Sequence, residues 1–291
     1  VPGQEKQDRQ HPADGEHHNH AMKKIYYLAS LGCAKNTVDS ASMGELLEGE
    51  GYRGTDDPAQ AGVLIVNTCG FIQTAREESL QVLQELAQHK RAGQWLIAAG
   101  CLTERHRDLI SRRVRGIDGF ISTRRWMDIL TLIEKLRKNP KSVQYHLPDE
   151  PKVGADEKGV LRAAVQGASA YLKIADGCRR PCAFCSIPLI KGTTVSRPPE
   201  VILAEAEKLQ SAGVQELILI AQDTTDYGFD LMMKDGLTTL LEKMLPRIPE
   251  IPWLRLMYAY PGSVSDRLID LMAECPQVLH YFDIPLQHAD P

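Results

Sequence analysis

The strongest constraint on the fold is an alternation of short, continuous apolar runs with amphipathic segments, met in two separate series along the 291 residues. In the first series strands are expected at 25–31, 63–66, 95–99 and 117–121, and helices at 39–50, 74–90, 104–114 and 126–138. A strand buried on both faces reads as an unbroken apolar run, as VLIV does at 63–66, because helices cover both sides of its sheet. The order therefore predicts an α/β fold with a parallel sheet. The second series places strands at 171–174, 216–221, 253–258 and 279–284, with helices at 199–212, 237–245 and 263–273, the last capped by Ser263 or Ser265. Four βα steps are half of an eightfold barrel, so the expectation is a partial (β/α) barrel whose remainder is missing from this chain.

Between the two series, residues 140–166 hold Pro140, Pro148, Pro151, Gly154, Gly159 and a run of charges. This stretch reads as a linker with room for one or two short strands. Residues 1–22 are polar, lack the apolar core of a secretion signal, and read as a disordered leader, with Met22 a candidate natural start. His17, His18 and His20 are assigned to that leader rather than to a metal site. The expected organisation is thus a leader at 1–22, a first domain at 23–139, a linker at 140–166 and a second domain at 167–291.

Composition narrows the function classes. A 43% hydrophobic content is enough for a sizeable core, and a formal net charge of -4 gives no global attraction for nucleic acid. No apolar run approaches the roughly 20 residues that span a bilayer. Seven cysteines without a secretion signal point to a reducing compartment, the cytoplasm, and to metal or redox chemistry rather than disulfides.

Cys178, Cys182 and Cys185 lie within eight residues, as C-x-x-x-C-x-x-C, in a loop with the turn-formers Gly177 and Pro181. Three thiolates around a four-iron cube leave one iron open, whereas structural zinc sites are closed by four ligands. No fourth Cys or His stands near in sequence, so iron–sulfur is favoured over zinc. The other three cysteines follow three successive strands: Cys33 in LGCAKN, Cys69 in NTCGF and Cys101 in AAGCLTE. In a parallel sheet the C-terminal strand ends share one edge, so these thiols are expected to converge despite gaps of 36 and 32 residues. Each has a glycine beside it (Gly32, Gly70, Gly100), which leaves the backbone room for a bulky inorganic group. Cys275, at a helix end before Pro276, is expected to be a plain cysteine.

The C-x-x-x-C-x-x-C loop after the first barrel strand, with Phe184 before its last cysteine, resembles the radical S-adenosylmethionine (SAM) superfamily. The resemblance implies that SAM binds the open iron and is cleaved by one electron to methionine and a 5′-deoxyadenosyl radical. The first half resembles the methylthiotransferase domain, which implies a second 4Fe–4S cluster on Cys33, Cys69 and Cys101. Such a two-cluster enzyme replaces a C–H hydrogen by a methylthio group, with SAM as both radical source and methyl donor. An external electron donor is implied as well. LGCAKNTVDS, NTCGFI and LIAQDTTDYG are similar to the RimO branch of that family. The branch acting on tRNA adenosine usually has Gln-Met-Asn and Ser-Ile-Arg where this chain has Ala34-Lys35-Asn36 and Gly70-Phe71-Ile72. The RimO branch implies β-methylthiolation of an aspartate in small-subunit ribosomal protein twelve, and a TRAM domain beyond the barrel.

Further candidates come from position. Gln222 and Asp223 follow the second barrel strand, and Gln287 and His288 the fourth, where they would face SAM or substrate. Lys173 and Arg197 flank the cluster loop, with either a carboxylate-binding or a surface role. Arg105, Arg107, Arg112, Arg113, Arg115, Arg124 and Arg125 form a basic stretch; direct RNA contact is open, and a solvated helix face with Glu104 and Asp108 is preferred. Three alternatives remain beside the ribosomal-protein enzyme. They are a tRNA adenosine methylthiotransferase, a ferredoxin-like two-cluster electron carrier, and a zinc-dependent binding module.

Overall fold

The computed structural model describes residues 23–147 and 158–287. The expected leader at 1–22, part of the linker and His288 lie outside those residues.

The first half contains β1 (Ile25–Ser30), α1 (Ala34–Gly49), β2 (Arg53–Gly54), β3 (Val63–Thr68), α2 (Gln73–His89) and β4 (Trp95–Gly100). It continues through α3 (Cys101–Arg113), β5 (Gly119–Ile121), α4 (Ile129–Lys138) and β6 (Gln144–His146). All six strands form one parallel sheet in the order β2-β1-β3-β4-β5-β6. Alternate residues divide its two apolar faces. Val63, Ile65, Ile97 and Ile121 pack with Met43 and Leu47 of α1 and Leu132 and Leu136 of α4. Leu64, Val66, Leu96 and Phe120 pack with Leu80 and Leu83 of α2 and Leu102 and Ile110 of α3. Each such buried side chain contributes about 1.5–3 kcal/mol.

Two helices start earlier than expected. The helix assigned to 39–50 begins at Ala34, and the one assigned to 104–114 begins at Cys101. Their N-cap residues, Cys33 and Gly100, make no side-chain cap, so the usual Ser, Thr, Asp or Asn start signal is missing from the sequence.

The second half contains β7 (Ala163–Gln166), β8 (Ser169–Lys173), β9 (Ala175–Asp176), α5 (Ile187–Lys191), β10 (Val195–Ser196) and α6 (Pro199–Ser211). It ends with β11 (Glu216–Ile220), α7 (Gly236–Met244), β12 (Trp253–Leu256) and α8 (Asp266–Glu274). One open sheet has the order β12-β11-β8-β7, with β8, β11 and β12 parallel and β7 antiparallel to β8. The stretch read as a linker therefore supplies an edge strand to each sheet, β6 to the first and β7 to the second. Ser265 is the cap of α8, accepting a hydrogen bond from the Leu268 amide at 3.2 Å.

The strand expected at 279–284 does not form a ladder. The chain runs beside β12 through a single parallel bridge, Leu254 to Val278. Beyond it the Tyr281 amide donates to Leu279 O at 2.7 Å and the Leu286 amide to Ile284 O at 3.0 Å. These tight turns use donors that strand pairing would need.

Helix α1 lies between the two sheets. Val38 packs with Ala164, Ile218 and Ile220 of the second sheet. Ser42 Oγ donates to Leu161 O at 2.7 Å, and Glu45 Oε2 accepts from the Leu161 amide at 2.9 Å. No helix among the described residues is long and apolar enough to cross a membrane.

Candidate active site

Strand register brings the first cysteine set together. β1, β3 and β4 are neighbours, with Ser30 opposite Asn67 and Thr68 opposite Gly100. Cys69 and Cys101 each follow one member of that last pair, on strands roughly 4.8 Å apart. Cys33 comes from the adjoining loop, and a Cβ added at Gly32 would stand 2.9 Å from Cys69 Sγ. Gly100 has φ +91°, and a Cβ there would lie 2.3 Å from Thr68 O. Only glycine meets both demands.

Two asparagines that the motif reading passed over lock these loops. Asn36 Nδ2 donates to Leu31 O at 2.9 Å and to Thr68 O at 3.0 Å. Asn67 Nδ2 donates to Asn36 O at 3.0 Å and to Ser40 Oγ at 2.9 Å. Ser79 of α2 accepts from the Cys69 amide at 2.9 Å. Their legible signal was position alone: polar residues at strand ends and in a helix's first turn, where an apolar core would have no use for them. Burial pushes the Cys69 thiol up and the Cys101 thiol up to about 11, with Lys191 opposing the shift at Cys101.

The second set sits in a loop closed at its base by the antiparallel β9–β10 pair. The Cys178 amide donates to Gly192 O at 3.0 Å and the Cys185 amide to Cys182 O at 3.0 Å. Gly177 has φ +73°, and a Cβ there would meet Thr193 O at 1.9 Å. Arg179 Nε donates to Asp226 Oδ1 at 2.9 Å, and Arg180 Nε to Asp223 Oδ2 at 2.7 Å. The guanidinium of Arg180 also lies 4.3 Å from the Tyr260 ring centroid. Burial pushes the Cys178 thiol up as well.

All six cysteines line one cavity of about 1350 Å³. That exceeds the roughly 300–1,000 Å³ of ordinary small-molecule sites. Phe184, Gln222, Asp223 and Gln287 also line it. Asp223 is committed to Arg180, and Phe184 is exposed. Gln222 Oε1 is buried with no hydrogen-bond partner, an acceptor facing a ligand-sized space. Among the described residues no three His, Cys, Asp or Glu side chains are gathered tightly enough to hold a single metal ion. A four-iron cube asks for something different, since each thiolate binds its own iron. Three thiols from each half, glycines at the close approaches beside them, and an orphaned acceptor lining the same cavity fit two cubes and a polar co-substrate.

Lys35 and Tyr258 lie on the cavity wall, with Lys35 Nζ 3.1 Å from the Tyr258 ring centroid. Burial lowers the Lys35 ammonium to about 8, opposed by Cys33, and raises the Tyr258 hydroxyl to about 12.

Lys173 and Arg197 are not surface residues. Both are buried, and the carboxylates they bind are the protein's own. Lys173 Nζ stands 2.5 Å from Asp39 Oδ1 and 3.0 Å from Asp176 Oδ1. Arg197 pairs with Glu205 at 2.7 Å. Arg162 and Lys191 complete the cluster, at 3.1 and 3.0 Å from Asp39. Asp39 comes from α1, so this network ties the first half to the second. The basic stretch divides. Arg124 donates to Ile190 O at 2.8 Å and Arg125 pairs with Asp128, while Arg105, Arg107, Arg112, Arg113 and Arg115 are exposed. Cys275 is partly buried at the end of α8, packed on the second core.

Comparison with known proteins follows the same division. Residues 25–122 match the uncharacterized protein family UPF0004, and residues 172–291 match the radical SAM superfamily. A ribosomal protein uS12 methylthiotransferase RimO from Roseiflexus sp. (strain RS-1) is 44% identical over 283 residues, covering 91% of this chain and 60% of that protein. The RimO of Chloroflexus aurantiacus is 45% identical over 278 residues, covering 91% and 61%. The chain thus spans about three-fifths of the length of these relatives. Among solved structures, the radical SAM methyltransferase TsrM from Kitasatospora setae, with tryptophan and a SAM analog bound, aligns with a TM-score of 0.64. It covers 92% of this chain and 60% of that one at 14% identity, a likeness of fold alone. Two family-matched halves, two cysteine triads on one cavity and RimO sequences aligned across nine-tenths of the residues agree: the chain joins a UPF0004 region to a radical SAM region and is similar along nearly its whole length to RimO methylthiotransferases.

Proposed function

We propose that the protein inserts a methylthio group at the β-carbon of an aspartate in ribosomal protein uS12, using SAM and two 4Fe–4S clusters in the cytoplasm. The observation that carries this reading is that both cysteine triads open into the same cavity. A two-cluster electron carrier has no use for so large a chamber between its clusters. Residues 23–139 serve as the sulfur-delivering domain and 167–291 as the radical-generating core, joined through 140–166. When bound, the cluster on Cys178, Cys182 and Cys185 supplies the electron that cleaves SAM, and the one on Cys33, Cys69 and Cys101 supplies the sulfur.

The chain's own groups do the positioning. Gln222 Oε1 offers an acceptor to an N–H or O–H of SAM. Asp223 holds Arg180 against Tyr260, which sets the wall beside the second triad. Phe184 and Gln287 line the same wall as apolar and polar contacts. An external reductant provides the electrons, and uS12 is met on or near the ribosome.

Anaerobic turnover of the reconstituted protein with SAM, reductant and either uS12 or tRNA tests the proposal. Mass spectrometry is expected to show a methylthio gain on the uS12 aspartate. Modification of tRNA alone would overturn the substrate assignment.

A further inference from the structure

We infer that Lys35, seated on the face of Tyr258 in the cavity that both triads line, receives the carboxylate of the side chain to be modified. The inference rests on the reading above that this side chain is an aspartate.

Three cations line the cavity: Lys35, Arg180 and Lys191. Two are already neutralised inside the protein, Arg180 by Asp223 at 2.7 Å and Lys191 by Asp39 at 3.0 Å. Among the described residues Lys35 has no hydrogen bond and no direct ion pair; the Tyr258 ring lies under its Nζ at 3.1 Å, and Cys33 and Asp283, which line the same cavity, act on it from farther off. An ammonium carries three donors, and a ring satisfies none of them as a carboxylate would. A partly buried ammonium left in that state is a costly arrangement for folding alone.

The platform beneath it is held against strain. Tyr258 has φ +65°, a left-handed conformation that a bulky side chain rarely adopts. Hydrogen bonds at both its carbonyl, which also accepts from the Thr224 hydroxyl at 3.3 Å, and its amide fix it there. The Thr224 amide donates to Tyr258 O at 3.0 Å, and the Tyr258 amide donates to Asp283 Oδ2 at 3.3 Å. Strain maintained by the surroundings at a cavity wall is the pattern of a binding position. The ring thus stays under the Lys35 ammonium at the cavity wall.

The chemistry fits the reaction class. In an aspartate the reacting β-carbon is bonded directly to the carboxyl carbon. Fixing the carboxylate on Lys35 therefore fixes the reacting carbon one bond away, in the chamber both triads share. An asparagine has the same shape without the charge. Losing a charge-assisted hydrogen bond costs about 1.5–3 kcal/mol, or about 10–150-fold in relative kcat/KM.

The test uses the reconstituted protein with a uS12 peptide containing the target aspartate and its asparagine counterpart. Binding is read by fluorescence anisotropy and turnover by mass spectrometry, for wild type, Lys35→Met and Lys35→Arg, with iron per chain measured on each. Wild type is expected to prefer the aspartate peptide by about tenfold or more, in both Kd and kcat/KM. Lys35→Met is expected to bring that ratio near one, and Lys35→Arg to restore much of it. Lys35→Met with an undiminished ratio overturns the inference and leaves the function standing. An equal loss for both peptides, ratio unchanged, also overturns it, and points to a lysine that balances cluster charge. Wild type that modifies neither peptide overturns the proposed function, and the inference with it.

Discussion

The two cysteine triads reach the same cavity by opposite routes. Cys178, Cys182 and Cys185 are set by one loop, whose geometry is local: a short strand pair at its base and Gly177 where no Cβ fits. Cys33, Cys69 and Cys101 are set by a sheet, and their convergence exists only when β1, β3 and β4 are in register. The first arrangement needs a few residues in order. The second needs a folded domain, and Cys69 and Cys101 are correspondingly the more buried. Under the proposed function, the locally set loop would hold the iron that takes SAM and the register-set edge the cluster that delivers sulfur.

The sharpest way to break this comparison is to remove thiols one set at a time. Cys182→Ala is expected to abolish SAM cleavage and lower the iron content by about four per chain. Cys69→Ala is expected to lose the same amount of iron and all methylthio transfer while still cleaving SAM. Product analysis by chromatography, with iron counting, reads both. If Cys69→Ala also stops SAM cleavage, the two sites are not separable.

A second prediction concerns the bond between the halves. Asp39→Ala leaves the buried cations Lys173, Lys191 and Arg162 short of a partner, which is expected to cost about 3–5 kcal/mol in denaturant unfolding. The pH dependence follows from the same network. Burial alone would raise the carboxyls of Asp39 and Asp176, but Lys173 and Lys191 outweigh it and hold both below the usual range. Their contribution is therefore fully present above the unfolded carboxyl pKa of about 3.9 and is lost as pH falls through the lower folded values. Acid titration of wild type should show stability from these groups flat between pH 5 and 7 and falling below about 4. The Asp39→Ala protein should lose less in that window.

Gly100→Ala probes the sheet-set triad through its backbone. At φ +91° with Thr68 O 2.3 Å from the new Cβ, a cost of about 2 kcal/mol or more is expected, together with iron lost from the first site only. Retention of full iron content would show that the edge is softer than the register implies. Cys275→Ser gives the smallest effect, no more than about 1 kcal/mol with iron content unchanged, because this thiol lies in the packing of α8.

How much of this was legible in the sequence follows the same local-versus-global divide. The parallel strands β1, β3, β4 and β5, the spacing of the six cysteines and a serine cap at 263 or 265 follow from residue type and spacing. The starts of α1 and α3 did not, because Cys33 and Gly100 carry no capping signal. The strand expected at 279–284 does not form because turns within it use its own backbone donors. Lys173 and Arg197 were open between surface and site because their partners, Asp39 and Glu205, are distant or on another helix, and burial of paired charge leaves no mark in composition. Asn36 and Asn67 escaped for a related reason: their value lies in what they join, which is visible only once three strands stand side by side.

The most direct test of the central claim, that two separate triads each hold a four-iron cluster on one cavity, is metal counting with Mössbauer spectroscopy after anaerobic reconstitution. About eight irons per chain are expected, in two 4Fe–4S signatures of which SAM perturbs one. Four irons, or zinc without visible absorption, would contradict it.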